Sequence, residues 1–391
     1  MIVDDLIDKG TDLYYEDLDK AKDLRFKAIK ESLNHQFKNC ALYRKFCKQK
    51  EFDPRRDLKN YADVKDIPYL TTANFKRSKG KPKELLCVPE DDILFWALSS
   101  GTSGDPSMVG RSKLQMERFM KGFWTVLEDQ VGLKDYNWSL FFTPPLPHIP
   151  IEQKVPKPSS HFMRMFEMAI TCPVENRVWA LKVNEGEISA AKRFELDVPT
   201  TLGFLQSNPG EKGQGWIGGS IPLLYGALSK LYAKTGKPFN VGENTKIAVG
   251  GGWKSFTGEK VEPEKFRKDL SKILGIPITS IIDGYQFTET DVVIAECKHF
   301  NKHIPPWADV IVRDVDTLEP VEDGEKGLLN IINPAAHSYA GVSILQDDMV
   351  RVVMEDGCEC GRKGKVIEIL GRAKGAEAKG CGAQIAEMTD E

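Results

Sequence analysis

The sequence predicts an α/β fold with additional β structure in its later part. Short apolar runs that suit buried strands alternate with stretches whose apolar residues recur at helical spacing, which is typical of mixed sheets flanked by helices. Near the end of the chain this alternation gives way to strands in hairpin-like pairs. With 391 residues, of which 41% are hydrophobic, the chain can bury a large core.

The first half of the chain carries clear helical patterns. Apolar residues recur at helical spacing from Leu18 to Phe37, and Ser112 with Gln115 forms a capping pattern ahead of a second helical face. Prolines between 144 and 158 require an extended connection. The expected elements are a helix over 16–39, a strand over 93–98, a helix from Ser112, a strand over 138–143 and a helix over 161–170.

The second half begins with a glycine-rich segment, residues 203–219, which is followed by an apolar helical face from Leu223 to Leu231. Runs of β-branched and other apolar residues then predict strands. Those strands are expected over 245–249, 278–282, 309–315, 327–332 and 350–354. No linker is long enough to separate a second full domain, so one large domain is expected over most of the chain.

The composition argues against several classes of protein. The formal net charge is −3, and the sequence has no basic tail or positive stripe, so no nucleic-acid partner is expected. The first residues are acidic, without the apolar core of a signal peptide, and no apolar run approaches the ~18 residues of a membrane span. A cytoplasmic protein is therefore expected, and its eight cysteines are expected to be thiols, metal ligands or nucleophiles rather than a disulfide framework.

A loop of glycines and hydroxyl residues occupies positions 99–107, with the sequence Ser-Ser-Gly-Thr-Ser-Gly-Asp-Pro-Ser. Its glycines permit positive φ and close approach to a ligand, so that backbone N–H groups and hydroxyls can converge on phosphate oxygens. It differs from the Walker pattern, because no Gly-Lys-Ser/Thr closes it. A solvated linker would have a similar composition. The candidate phosphate-binding residues are Ser99, Ser100, Gly101, Thr102, Ser103 and Gly104.

A second polar segment, residues 283–290, follows an apolar strand that ends at Ile282. It runs Asp-Gly-Tyr-Gln-Phe-Thr-Glu-Thr and so brings hydroxyl, aromatic and carboxylate groups to the carboxyl end of a strand, where open α/β sheets bind ligands. A helix N-terminus with an early glutamate would explain the same string structurally. Earlier in the chain, Gly250-Gly251-Gly252 ends a predicted strand, where the backbone can either lie against a planar base or make a tight turn.

Four residues offer the ligand set of a closed zinc site. Cys297, His303, Cys358 and Cys360 supply three thiols and one imidazole, which is typical of tetrahedral structural zinc. His299 competes with His303 for the fourth position, and coincidence would explain either half of the set alone. Such a site would leave no position open for catalysis and would contribute on the order of 10 kcal/mol to ordering the late β segment.

The loop, the second polar segment and the later motifs resemble those of the adenylate-forming superfamily, and they follow one another in the same order. Members of that superfamily use ATP to activate a carboxylate as an acyl-adenylate. Ser107 stands where that loop usually carries a lysine. The resemblance implies that Tyr285 stacks on adenine, that Thr288 contacts the phosphate of the adenylate and that Glu289 holds Mg²⁺, which offsets the charge that builds up when a carboxylate attacks a phosphate. It also assigns to the nucleotide site Gly251, Gly252, Asp283 and Gly284.

Two later motifs extend the resemblance. Residues 338–348 end in Asp348, the candidate acceptor for the ribose hydroxyls, and Gln346 stands where the family usually has threonine. The string Gly-Arg-Ala-Lys over 371–374 resembles the hinge of the superfamily. By that resemblance Arg372 would hold ribose or phosphate, and Lys374 would sit at the pivot between the adenylation and transfer steps.

The string Gly-Gly-Trp-Lys over 251–254 is similar to one branch in particular, the acyl-protein synthetases of bacterial bioluminescence. The resemblance implies a large adenylate-forming domain over 1–371, with mixed sheets flanked by helices and a β-rich late segment. A C-terminal domain shortened to a hinge and tail is expected over 372–391. In that branch a cysteine near the C-terminus carries the acyl group, and Cys381 matches its place.

The function implied is ATP- and Mg²⁺-dependent activation of a small-molecule substrate, a fatty or aryl carboxylic acid. The acyl group is then transferred to Cys381 and on to a partner reductase or transferase. Glu289, Thr288, Lys374 and Cys381 are the predicted catalytic residues. The alternative for Cys381 is that it is a thiol of the tail without a catalytic role. Two other functions remain open: a ligase of the phenylacetate–CoA type, with coenzyme A as acceptor, and a non-catalytic nucleotide-binding module.

Overall fold

The computed structural model describes residues 1–99, 105–143, 151–152, 159–161, 170–184, 194–251 and 260–373. Its helices pack against one large sheet and a smaller one, which confirms the predicted α/β class. The helices are α1 (Ile2–Asp8), α2 (Gly10–Leu13), α3 (Leu18–Asn39), α4 (Ala41–Gln49), α5 (Pro54–Asp57), α6 (Lys113–Val126), α7 (Val198–Gln206), α8 (Ile221–Thr235) and α9 (Pro263–Leu274). None of these helices has the length and apolar character needed to cross a bilayer.

The strands fall into two groups along the chain. The earlier strands are β1 (Leu70–Thr71), β2 (Ile93–Leu98), β3 (Met108–Ser112), β4 (Trp138–Phe142), β5 (Ile151–Glu152), β6 (Ser159–His161), β7 (Arg177–Trp179), β8 (Leu181–Val183) and β9 (Phe194–Leu196). The later strands are β10 (Gly215–Ser220), β11 (Lys246–Gly250), β12 (Ile281–Tyr285), β13 (Ile294–Glu296), β14 (Lys302–His303), β15 (Asp309–Arg313), β16 (Gly327–Ile332), β17 (Ser343–Met354) and β18 (Val366–Arg372).

The large sheet has the order β15-β16-β17-β18-β14-β13-β12-β11-β10-β4-β7, with β1 beside β17. From β7 to β12 neighbouring strands run parallel, and from β12 to β15 they run antiparallel. The parallel part corresponds to the alternating half of the sequence, and the antiparallel part corresponds to the late strand pairs. The predicted β-rich late segment is therefore confirmed, as a continuation of the same sheet.

The small sheet, in the order β3-β2-β6-β5, carries the glycine and serine loop. The loop was expected between a strand and a helix, but it connects the antiparallel strands β2 and β3, with Leu98 opposite Met108. The sequence prediction missed β3 because five residues, one of them arginine, give too short a pattern to detect. Ser112 ends this strand and also caps α6, since its hydroxyl accepts the Gln115 N–H at 3.3 Å.

Two buried clusters hold the layers together. In one, Leu224 and Leu228 of α8 and Leu270 of α9 pack against Ile217 and Ile247 of the parallel strands. The other joins α1, α3, α4 and α6 to the antiparallel half of the sheet. Apolar burial of this kind contributes roughly 25 cal/mol per Å², so these clusters fix the strand ends on which the polar motifs lie.

Several predicted boundaries move. The helix expected over 161–170 is replaced at its first residue by the end of β6, because His161 pairs with Leu98 of β2; residues 162–169 lie outside the described part. The strand expected over 278–282 is a 3₁₀ turn at Ile278–Ser280 followed by β12, because Pro277 restricts the backbone at its start. The glycine-rich segment over 203–219 contains the end of α7 and most of β10.

Candidate functional site

The base of the glycine and serine loop is closed by two hydrogen bonds between its ends. The Ser99 N–H donates to the Ser107 carbonyl at 3.0 Å, and the Ser107 N–H donates to the Ser99 hydroxyl at 2.8 Å. Ser100, Gly101, Thr102, Ser103 and Gly104 lie outside the described residues. The structure therefore places the two ends of the candidate phosphate loop side by side.

Thr288 and Glu289 lie directly beyond β12 and are both buried. Burial raises the pKa of the Glu289 carboxyl, while the neighbouring Ser107 hydroxyl and the positive charges of Lys76 and Arg111 act against that rise. Ser107 and Glu289, which are 182 positions apart in the numbering, thus meet at the base of the loop. The two polar segments that the sequence analysis assigned to one site lie next to each other.

Arg111, a residue that the sequence analysis did not single out, connects the two segments. Its guanidinium group is fully buried, donates from Nη2 to the Thr288 carbonyl at 2.7 Å and lies 2.8 Å from Asp291 Oδ1. It also stacks over the Tyr339 ring at 4.8 Å, and the Tyr339 hydroxyl donates to the Glu289 carbonyl at 2.9 Å. The backbone at Thr288 and Glu289 is therefore held by side chains from β3 and from the segment before β17.

Tyr285 at the end of β12 and Arg372 at the end of β18 come together with Asp348, which lies in the middle of β17. The Tyr285 hydroxyl donates to Asp348 Oδ2 at 2.5 Å, and Arg372 Nε lies 3.9 Å from Asp348 Oδ1. Asp348 and Arg372 are paired across the antiparallel strands β17 and β18. Burial raises the pKa of Tyr285, and the adjacent Asp348 carboxylate raises it further. The sequence predicted these three residues for one nucleotide site, and the structure brings them within contact distance.

Asp283 lies on β12 within a network of four charged side chains. Lys302 Nζ is 2.8 Å from Asp283 Oδ2 and 2.9 Å from Glu296 Oε1, and Glu296 Oε2 accepts both the Asp283 N–H and Arg267 Nη2. Asp283 Oδ1 is buried and has no hydrogen-bond partner. Burial raises the pKa of Asp283, and Lys302 opposes this rise. This oxygen is therefore a buried acceptor whose hydrogen-bonding capacity is unused within the described residues.

The glycines at the end of β11 lie beside this network. Gly250 is paired with Gly284 of β12, and a Cβ atom at Gly250 would lie 3.2 Å from the Gly284 carbonyl oxygen. Gly251 has φ of 85°, a conformation that favours glycine, whereas Gly252 lies outside the described residues. The strand ends that bear Gly251 and Asp283 are therefore adjacent, as a shared nucleotide site requires.

The four predicted metal ligands form one cluster. The ligand atoms of Cys297, His303, Cys358 and Cys360 all lie within 4.8 Å of one another. The sulfurs of Cys297 and Cys358 are 3.9 Å apart, and the Cys360 sulfur is 3.3 Å from His303 Nε2. Tetrahedral zinc with bonds of about 2.3 Å to sulfur implies a sulfur–sulfur distance of about 3.8 Å. The donor set and its spacing therefore fit zinc.

The structure also distinguishes the two candidate histidines. His303 lies on β14 with its ring in the cluster, whereas His299 Nδ1 lies 3.4 Å from the Glu359 carboxylate. Burial lowers the pKa of His303 to about 4, so the ring is neutral near pH 7, as a metal ligand must be. The Asn301 side-chain amide donates to the Cys358 sulfur at 3.2 Å.

Lys374 and Cys381 lie outside the described residues, which end at Ala373. The last described residue is attached to the nucleotide end, because the Ala373 N–H donates to the Asp347 carbonyl at 2.9 Å. The roles predicted for Lys374 and Cys381 therefore remain predictions. The same is true of the division at residue 371.

Comparison with known proteins identifies relatives along most of the chain. The profile of the family described as acyl-protein synthetase, LuxE, matches residues 1–146 and 195–389. A long-chain-fatty-acid–luciferin-component ligase from Vibrio harveyi is 26% identical over 400 residues, covering 98% of this chain and 93% of that protein. The enzyme of the same name from Aliivibrio fischeri is 25% identical over 377 residues, covering 95% and 90%.

Two further comparisons are more distant. A phenylacetate–coenzyme A ligase from Aromatoleum evansii is 33% identical, but only over 92 residues, which is 24% of this chain and 20% of that enzyme. A solved structure of a 2-hydroxyisobutyryl-CoA ligase superposes with a TM-score of 0.63 at 13% identity, over 92% of this chain and 70% of that one. That superposition supports the fold.

Proposed function

This chain belongs to the acyl-protein synthetase family LuxE, and from that membership we propose that it activates a long-chain fatty acid with ATP and then transfers the acyl group to a thiol of its own. The observation that carries the proposal is the convergence of two separate polar segments. Ser107 at the loop base lies beside Glu289, and Asp348 contacts both Tyr285 and Arg372. The fatty acid is suggested by the name of the two relatives that match this chain over almost its whole length.

The nucleotide would occupy the strand ends around Tyr285. The unpartnered Asp283 oxygen would accept a hydrogen bond from the adenine amino group, and Asp348 would accept from the ribose hydroxyls. Arg372, which is more than half exposed and lies beside Asp348, would contact ribose or phosphate. The existing contacts of Asp348 with Tyr285 and Arg372 support this assignment, because they hold the carboxylate in place before the nucleotide arrives.

Glu289 fits a magnesium ligand. Mg²⁺ is usually bound by one or two carboxylates together with phosphate oxygens and water, and Glu289 is a buried carboxylate at the base of the candidate phosphate loop. When bound, the metal would offset the negative charge that accumulates at the phosphates. Arg111 would hold the Thr288 carbonyl and Tyr339 the Glu289 carbonyl, while the Thr288 hydroxyl would donate to the α-phosphate.

Two chemical steps follow from this arrangement. An oxygen of the acid carboxylate attacks the α-phosphorus, the bond to the bridging oxygen breaks, and pyrophosphate leaves with that electron pair. The Cys381 thiolate then attacks the acyl carbonyl, and AMP leaves as the thioester forms. A partner reductase or transferase would consume the thioester. Lys374 is proposed as the pivot between the two steps, at the boundary of the domain over 1–371 and the tail.

We also propose that Cys297, His303, Cys358 and Cys360 hold a structural zinc ion. The cluster joins β14 and the segment before β18 to the loop after β13. Because β14 and β18 are paired, the ion would secure the strand that carries Arg372. Purified protein should contain one equivalent of zinc, and a zinc content near zero in protein prepared without chelator would contradict this proposal.

The proposed reaction is tested by intact-mass measurement after incubation with ATP, Mg²⁺ and carboxylic acids of graded chain length. We expect a long-chain acyl adduct on the wild type and on the control variant Cys172→Ser, but none on Cys381→Ser. Exchange of pyrophosphate into ATP should persist in Cys381→Ser and fall strongly in Glu289→Gln. Formation of acyl-coenzyme A without any protein adduct would favour the phenylacetate–CoA type of ligase and would overturn transfer to Cys381.

A further inference from the structure

The loop over 99–107 contains no lysine or arginine, although its proposed ligand is a polyphosphate. The charged side chains that its base presents are negative, since Asp105 belongs to the loop and Glu289 lies beside Ser107. A ligand with three or four negative charges cannot be bound tightly against carboxylates unless cations lie close by. The magnesium ion proposed at Glu289 offsets part of that charge, and a cation from another part of the chain would have to offset the rest.

One segment outside the loop runs along its final residues. Lys76 is bridged to Ser107 as an isolated antiparallel β-pair, and the Arg77 N–H donates to the Pro106 carbonyl at 3.0 Å. Ser78 donates to Asp105 twice, from its N–H at 3.0 Å and from its hydroxyl at 2.6 Å. Residues 76–78 thus contact three successive residues at the end of the loop, 105–107.

The segment contains two cations, Lys76 and Arg77, which are both half-buried, whereas the following Lys79 is exposed. Of these, Lys76 is the one whose backbone is paired with Ser107 and whose charge acts on Glu289. Its positive charge lowers the pKa of Glu289, although burial of that carboxyl has the larger, opposite effect. The same charge lowers the pKa of Asp105, where the Ser78 hydrogen bonds contribute more. The ammonium group therefore acts on carboxylates at both sides of Ser107.

We propose that Lys76 supplies the cationic contact to the β- and γ-phosphates of ATP, and so helps to bind ATP and to stabilise the departing pyrophosphate. The proposal deepens the proposed function, because it takes ATP as the ligand of the loop. A lysine on a flexible stem can donate to several phosphate oxygens while its backbone stays paired with Ser107. The attraction between the Lys76 ammonium and the phosphates would offset the repulsion between the phosphates and the carboxylates of Asp105 and Glu289.

The test compares binding of ATP, AMP and inorganic pyrophosphate by calorimetry, in the wild type, Lys76→Gln, Lys76→Arg and the matched control Lys79→Gln. A lost charge-assisted contact weakens binding by roughly 10- to 100-fold. We expect that loss for ATP and pyrophosphate in Lys76→Gln, with AMP affinity unchanged, and partial recovery in Lys76→Arg. Lys79→Gln should bind all three ligands like the wild type.

Two results would overturn the proposal. One is an unchanged ratio of ATP to AMP affinity in Lys76→Gln. The other is a variant Lys76→Gln in which only the Mg²⁺ concentration needed for half-maximal pyrophosphate exchange changes. Lys76 would then serve only as a partner of Glu289. The binding readout does not depend on turnover, so a wild type that binds ATP without exchanging pyrophosphate would contradict the proposed function and still test Lys76.

Discussion

The nucleotide end of the sheet and the Cys/His cluster share strands but are stabilised in different ways. At the nucleotide end, buried charges are already paired with one another: Arg111 with Asp291, and Asp348 with Tyr285 and Arg372. In the cluster, three thiols and an imidazole point at one another, and burial raises the pKa of Cys297 to about 11. In the first region these charged side chains are paired with one another without a ligand, whereas in the second the donor atoms converge on a place for a cation.

This difference separates stability from chemistry. Paired charges hold the Thr288–Glu289 backbone in position before substrate arrives, so changes to the ligand-facing side chains there should affect activity and leave folding almost unchanged. Buried thiols that lie together without a metal contribute little to the free energy of unfolding. Loss of the metal should therefore reduce the stability of the fold more than it changes the nucleotide site. The predictions below test that separation, beginning with the largest expected effect.

Loss of metal from the Cys/His cluster should destabilise the protein most. Metal binding at such sites contributes on the order of 10 kcal/mol to ordering, so Cys358→Ser, which removes one ligand, should lower the thermal midpoint strongly. Chelation should have the same effect on the wild type. Scanning calorimetry with and without added zinc measures both. Cys47→Ser, which changes a buried thiol of α4 that is not part of the cluster, is the matched control.

If Cys358→Ser and the chelated wild type unfold at the wild-type temperature, the cluster is not a metal site of structural importance. If they unfold early but Cys47→Ser does so equally, the effect is one of core packing. The two regions would then not differ in the way that the geometry indicates.

Arg111→Leu is expected to have the next largest effect. It removes one partner of a buried ion pair and leaves Asp291 uncompensated, which costs about 4 kcal/mol of unfolding free energy. The double variant Arg111→Leu/Asp291→Leu should recover part of that stability, because the unpaired charge is gone. Urea unfolding measures both variants.

The double variant also separates positioning from folding. Pyrophosphate exchange should remain low in it even where stability returns, since the Thr288 carbonyl has lost its donor. Exchange at the wild-type rate in a well-folded double variant would show that Arg111 serves the fold alone. The nucleotide end would then depend less on preorganised pairs than the comparison implies.

Much of this site could be predicted from sequence because its residues come in short contiguous strings. Glu289 and Tyr285 lie within five positions of each other, and the string that contains them follows an apolar strand, which is a local signal. The cysteines could be predicted from their chemistry, because thiols paired with an imidazole suit few roles besides metal binding. The choice of His303 over His299 required the β14 register, which no spacing rule supplies.

Arg111 and Lys76 could not be predicted in this way. Arg111 is a single charged residue in a short strand, and its partner carbonyl lies 177 positions later. Lys76 belongs to an earlier segment that meets the loop through backbone pairing with Ser107, which sequence spacing does not indicate. The available signals were indirect: an arginine within an otherwise apolar strand, and a phosphate loop without a cation. Both become interpretable only from tertiary contacts, those of Arg111 with the Thr288 carbonyl and of Lys76 with Ser107.

Asp348→Asn should have a smaller effect, confined to activity. Asparagine keeps the shape and can still accept from the Tyr285 hydroxyl, but it loses the charge that faces the ribose hydroxyls and Arg372. We expect the KM for ATP to rise about 10-fold, as for loss of a charge-assisted hydrogen bond, with the thermal midpoint within a few degrees of the wild type. Steady-state exchange kinetics measure the first quantity and calorimetry the second. A large fall in stability with unchanged KM would place Asp348 with the structural residues.

The smallest effect expected concerns pH and the packing behind the nucleotide end. The His337 ring stacks on the His35 ring, with 4.2 Å between their centres. The His337 backbone N–H donates to the Gln115 side chain, which also contacts Asp291. Burial lowers the pKa of His337 to about 4, with His35 and Arg118 adding to the shift. The unfolded chain, whose histidine titrates near its ordinary value, therefore binds protons more readily than the folded one.

The free energy of unfolding should accordingly fall as pH drops from about 6.5 towards 4, and the contribution is fully present above the ordinary histidine value. His337→Gln should remove part of this slope while keeping the backbone contact to Gln115. Urea unfolding of both proteins at pH 7.5, 6.0 and 5.0, each with saturating zinc, measures the difference and keeps the Cys/His cluster constant. Parallel pH profiles for the two proteins would mean that acid acts elsewhere, and the buried pairs of the nucleotide end would then be insensitive to the histidine stack behind them.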